Sequence, residues 1–126
     1  MVPVIELIDG VKLVASHPDM VCPSPLGGLP DNGAFMALFE ATTGVKPTHI
    51  CGKPNPQMIL HKINDLGLLT EKCAMVGDRL YTDMEMAKKA NVKAILVLSG
   101  EATKKDLELY SHEPDLVVNS IDELVR

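Results

Sequence analysis

Two short stretches hold the residues whose types and spacing could do chemistry. The first is Val76-Gly77-Asp78-Arg79-Leu80-Tyr81-Thr82-Asp83, in which an aliphatic run ends at Gly77 and two carboxylates five residues apart follow it. In an open parallel sheet, ligands gather outside the carboxyl ends of the strands, so a loop in this place can bring both aspartates to one site. Mg²⁺ is commonly held by one or two carboxylates, with waters and phosphate oxygens filling the other positions. A plainer reading makes Asp83 a helix cap and Asp78 a turn residue. The second stretch is Cys51-Gly52-Lys53-Pro54-Asn55-Pro56, which presents a lysine between a glycine and a proline ahead of a helical pattern. An ammonium fixed there could neutralise charge that develops on a transferring phosphoryl group. Lysines in turns are more often simply solvated, and the two readings stay open on these residues alone.

The elements that would position these loops can be read around them. Gln57 to Leu66 carries Met58, Ile59, Ile63 and Leu66 at helical spacing, with Gly67 as a stop. Cys73-Ala74-Met75-Val76 is a short strand candidate, Thr82 to Ala90 a helix, and Ala94-Ile95-Leu96-Val97-Leu98 a strand closed by Ser99-Gly100. Lys104 to Tyr110 reads as helix, Asp115 to Val118 as strand, and Ile121 to Val125 as a closing helix. Alternating strands and helices predict an α/β fold with a parallel, Rossmann-like sheet. Upstream of Cys51 the rhythm changes. Lys12 to Ser16 is a strand candidate, Cys22 to Pro30 reads as a loop or turn series, and a helix opens at Asn32 or Gly33 and ends at Gly44. The expected division is therefore residues 1–50 and residues 51–126.

Composition narrows the function classes. The chain has 126 residues, 46% hydrophobic and 23% charged, so it can bury a core of its own. Only 3% are aromatic, and aliphatic side chains must do the packing, which suits buried parallel strands. A net charge of −5 without a basic cluster argues against a nucleic-acid partner. Cys22, Cys51 and Cys73 are odd in number and far apart, which fits a reducing cytoplasm rather than a disulfide framework. No apolar run approaches the roughly 20 residues that a membrane helix needs.

Taken in order, Gly52-Lys53-Pro54-Asn55-Pro56 and then Gly77-Asp78-Arg79-Leu80-Tyr81-Thr82-Asp83 resemble the third and fourth motifs of the haloacid-dehalogenase (HAD) superfamily. The continuation from Ala87 to Gly100, and Pro114-Asp115-Leu116-Val117-Val118, is similar to subfamily IIA, the NagD-like and 4-nitrophenylphosphatase-type phosphatases. Lys12 to Asp19, Cys22-Pro23, Gly28-Leu29-Pro30 and Ala41-Thr42-Thr43-Gly44 look like the second half of that subfamily's cap domain. The resemblance implies a Mg²⁺-dependent phosphate monoester hydrolase acting on a small phosphorylated metabolite. It assigns the catalytic lysine to Lys53, metal-binding acids to Asp78 and Asp83, and loop backbone to Gly52 and Gly77. Substrate contacts would come from His17, Asp19 and Asn55, with His17-Pro18-Asp19 standing where the subfamily usually has Asn-Pro-Asp. Family chemistry uses an aspartate nucleophile in an Asp-x-Asp-Gly motif upstream of the cap, and no Asp-x-Asp occurs here. Asp9-Gly10 lacks the spacing to serve. The chain is therefore expected to hold half a core and part of a cap, and to be inactive alone. It would work beside a complementary amino-terminal half, as a homo-oligomer, or as a binding module without turnover. A signalling receiver also pairs acids with a lysine, but receivers place the lysine after the acids, the reverse of Lys53 and Asp78.

Overall fold

The computed structural model describes residues 12–125; Asp9-Gly10 lies outside them. The chain divides into two compact units, Met1–Gly52 and Lys53–Arg126.

In the first unit, β1 (Val14–Ala15) pairs in parallel with β4 (His49–Ile50), Val14 opposite His49 and Ala15 opposite Ile50. Parallel partners require a crossover, and the chain between them supplies a small hairpin and one helix. The hairpin, β2 (Val21–Cys22) against β3 (Leu29–Pro30), is antiparallel. It adds strand pairing to the loop or turn series expected from Cys22 to Pro30: the proline- and glycine-rich residues make the turn, and its flanks pair. Helix α1 (Asn32–Thr43) has Asp31 as its N-cap and Gly44 as its C-cap, at φ 73°, a left-handed conformation that glycine adopts without strain.

The second unit runs as a repeating α/β order. Helix α2 (Gln57–Asp65) leads through a 3₁₀ turn (Thr70–Lys72) into β5 (Ala74–Gly77). A π-helical turn (Leu80–Met84) and α3 (Glu85–Ala90) follow, then β6 (Lys93–Val97), α4 (Lys104–Leu109), β7 (Leu116–Val118) and a final 3₁₀ turn (Ile121–Leu124). The three strands form one parallel sheet in the order β5-β6-β7, with Val76 opposite Ile95 and Leu96 opposite Val117. The mixed α/β architecture with parallel strands is the one expected. Two elements differ from expectation. The helix anticipated from Thr82 begins as a π turn at Leu80 and becomes regular only at Glu85, and the closing helix is a single 3₁₀ turn.

Ile63, Leu80, Met84, Ala87, Ala90, Val92, Ala94, Leu96 and Ala102 form the core of this unit. Leu96 and Ala87 have no exposed surface at all. Full burial of a leucine side chain contributes about 1.5–3 kcal/mol, so Leu96 in the middle strand helps anchor the sheet. The small residues Ala87, Ala90 and Ala94 let α3 lie close to β6. Among the described residues, Tyr110 is the one aromatic side chain packed against this core, and it is only partly buried.

Candidate functional site

The loop after β5 positions the site. At the strand end the chain passes Gly77 and Asp78 and enters the π turn, where both Asp83 N and Met84 N donate to Arg79 O, at 3.0 and 3.2 Å. The wider turn carries Asp83 inward, and such insertions are frequent at functional sites. Asp83 is 1% exposed. A buried carboxylate is costly unless it is paired and hydrogen-bonded, and here it is both. Lys53 Nζ lies 2.7 Å from Asp83 Oδ1, and Arg79 N donates to Asp83 Oδ2 at 3.2 Å. Asp83 is therefore no cap of the helix that follows. Its carboxylate reaches back to receive the Arg79 amide and hold the lysine.

Asp78 is held from the neighbouring strand. Its Oδ2 accepts the Glu101 amide at 2.9 Å, and its main-chain oxygen accepts the Ala102 amide at 2.9 Å. These donors sit in the loop after β6, which a parallel sheet brings level with the loop after β5. Close packing imposes glycine at two points. A Cβ on Gly77 would come well under 3.0 Å from the Asp83 carboxyl group, and one on Gly100 would come as close to that of Asp78. Each acid thus lies flat against a glycine.

Lys53, Asp78 and Asp83 are brought to one end of the sheet. Asn55 takes a more local part, since its Oδ1 accepts the Gln57 amide at 3.0 Å and orders the entry to α2. His17, Asp19 and Gly52 belong to the first unit. There a Cβ on Gly52 would collide with Ser16 O and with His17, so glycine is needed where the chain leaves β4.

Residues that sequence reasoning passed over also surround the acids. Glu101 Oε2 lies 2.5 Å from Arg79 Nε, and its Oε1 accepts the Tyr81 hydroxyl at 2.6 Å. With Leu80, Ala102 and Asp106 these three side chains line a cleft of about 220 Å³. Thr82 Oγ1, in the same π turn, is buried with no hydrogen-bond partner among the described residues. The available signal was the strand end Val97-Leu98-Ser99-Gly100-Glu101, which must lie beside Asp78 if the two strands are parallel neighbours.

The donor set suits a hard divalent cation, with an asymmetry between the acids. Among the described residues, Asp83 has both oxygens engaged by protein donors, whereas Asp78 has Oδ2 alone engaged, leaving Oδ1 to bind directly. Such a cation would then draw on Asp78 directly and on Asp83 through water, in keeping with the few protein ligands Mg²⁺ takes.

Residues 50–124 match the family model described as HAD-hydrolase-like. The dihydroxyacetone phosphatase of Corynebacterium glutamicum is 37% identical over 118 residues, which are 94% of this chain and 42% of that protein. Among solved structures, the 4-nitrophenylphosphatase of Thermotoga maritima superposes with a TM-score of 0.85 at 48% identity, over 91% of this chain and 44% of that one. The p-nitrophenyl phosphatase of Archaeoglobus fulgidus gives a TM-score of 0.83 at 30% identity, over 92% of this chain and 46% of that one. The chain spans less than half the length of each of these relatives.

Proposed function

The chain belongs to the HAD-hydrolase-like family and resembles its NagD-like, 4-nitrophenylphosphatase-type branch, and from that premise we propose that its residues form the lysine and metal side of a phosphate monoester hydrolase. The observation that carries the reading is the Lys53–Asp83 pair, 2.7 Å apart at the end of β5 that also bears Asp78. The Lys53 side chain is 37% exposed while Asp83 is buried, so one end of the pair is an anchor and the other faces outward. A preorganised ammonium of this kind stabilises charge building on a phosphoryl group without reorganising during the reaction.

In this reading Asp78 Oδ1 is the direct ligand of Mg²⁺ and Asp83 orients Lys53. Mg²⁺ supplies neutralisation of phosphate charge when bound. The 126 residues contain no Asp-x-Asp pair, so the attacking carboxylate comes from chain outside them, continuous with it or separate. Lys53 and Asp78 then hold and neutralise, but cannot attack. The substrate is a small phosphorylated metabolite, supported by the relatives' phosphatase names. Residues 1–50 are read as part of a cap, with His17 and Asp19 as its substrate-contacting residues and Asn55 as that of the lysine loop. A cytoplasmic setting is supported by three free cysteines. No helix among the described residues is long and apolar enough to cross a membrane.

The test combines binding with turnover. Mg²⁺ added to the chain should shift the amide resonances of residues 77–83 and 100–102, and Asp78→Asn should abolish the response. With a separately expressed amino-terminal half of a related 4-nitrophenylphosphatase, Mg²⁺-dependent turnover of 4-nitrophenyl phosphate should appear. Lys53→Ala should lower it a hundredfold or more. A Mg²⁺ response that survives Asp78→Asn, or robust turnover by the 126 residues alone, would overturn the reading.

A further inference from the structure

We propose that His17, Asp19 and Asp31, in the first unit, form a binding site for a divalent transition-metal ion of the Zn²⁺ class. The proposal goes beyond the phosphatase reading and is read out without turnover, so either can fail alone. One ring nitrogen of His17 and one carboxylate oxygen each from Asp19 and Asp31 all lie within 4.8 Å of one another. His17 Nδ1 is 3.7 Å from Asp19 Oδ2, and Nε2 is 3.7 Å from Asp31 Oδ1. Both separations exceed the 3.2 Å limit of an ordinary N–H···O hydrogen bond. Ligand atoms bonded at about 2.0–2.2 Å to one tetrahedral ion lie about 3.4 Å apart; the two carboxylates approach different ring nitrogens, so an ion on one nitrogen would draw the other carboxylate inward.

One further observation points to an ion in this place. The Nδ1 atom of the partly exposed His17 ring is itself buried and has no hydrogen-bond partner among the described residues, although buried polar atoms are nearly always satisfied. A cation among these three side chains would give that nitrogen a partner and would also offset two carboxylates held around one imidazole. The frame is already fixed. Asn32 Nδ2 donates to His17 O at 2.8 Å, Gly33 N to Asp19 O at 2.8 Å, and Asp31 N to Met20 O at 3.1 Å. A Cβ on Gly33 would strike Pro18 O and Asp19 O, so the loop lies directly on the first turn of α1. Imidazole with carboxylates suits Zn²⁺ and its first-row neighbours, whereas Mg²⁺ prefers oxygen ligands and retains its waters.

The test follows the imidazole nitrogens of the chain by NMR as Zn²⁺ is added, with excess Mg²⁺ present. The His17 ring should shift first and saturate at one equivalent, ahead of His49, His61 and His112. Measured by competition with a chromophoric chelator, His17→Asn should weaken Zn²⁺ binding at least tenfold. Asp31→Asn should do the same while keeping a side-chain oxygen to cap α1, and an unchanged amide spectrum would show that the fold survives. Response of His61 or His112 at the same Zn²⁺ concentration as His17, or unaltered affinity in His17→Asn, would overturn the proposal.

Discussion

At the scale of single residues, Asp83 shows how a buried carboxylate is accommodated. Its carboxylate is almost wholly buried, and Lys53 and the Arg79 amide are its only hydrogen-bonding partners among the described residues. Removing one member of a buried ion pair costs about 3–5 kcal/mol because the other charge is left stranded. The Lys53 side chain is more than a third exposed, so water screens part of that cost. Lys53→Met should therefore lower unfolding stability by about 1–3 kcal/mol, measured by urea denaturation, and the double variant Lys53→Met/Asp83→Asn should recover part of the loss. Equal stability of Lys53→Met and the parent would mean that the pair contributes nothing.

At the scale of elements, the sheet depends on a clamp between two strand starts. Asp115, immediately before β7, accepts the Ala94 amide of β6 at 2.9 Å and Lys93 Nζ at 2.7 Å. The hydrogen bond from the Ala94 amide, followed by that from Lys93, holds its carboxyl below the usual carboxylate range. A depressed folded-state value stabilises the fold above the unfolded value of about 3.9. That contribution is lost as pH falls through the folded value. The urea midpoint of the parent should thus drop more between pH 6 and pH 3 than that of Asp115→Asn. Identical slopes for the two proteins would remove the clamp from the account. Asp106, whose carboxyl is lowered by hydrogen bonds from the side chain and then the backbone of Thr103 at the start of α4, is common to both and cancels in the comparison.

At the scale of the whole chain, β5 is an edge strand: it pairs with β6 alone among the described residues, yet it carries the site at its end. An unpaired edge is a template for another strand. The 126-residue chain should accordingly self-associate as its concentration rises, seen as growing mass in light scattering. Placing a charge on the exposed edge residue with Ala74→Lys should favour the monomer. A chain that stays monomeric across the accessible range, with or without the substitution, would show that the edge is protected.

The sequence by itself determined the order of elements in the second unit and the residues that could do chemistry. Strand candidates at Cys73–Val76 and Ala94–Leu98 and the turn glycines after them are local signals: hydrophobic periodicity and backbone permissiveness are written residue by residue. Lys53, Asp78 and Asp83 were legible for the same reason, since acids and a lysine at strand ends are read from type and position. Tertiary structure alone decided what each acid does. A capping aspartate and a buried ion-pair partner look alike in sequence, and only the π turn, stabilised by packing Leu80 and Met84 into the core, carries Asp83 to Lys53. Glu101 and Gly100 were equally hidden. Their closeness to Asp78 comes from lateral pairing of β5 with β6, between residues 19 apart in the chain, which no local pattern encodes.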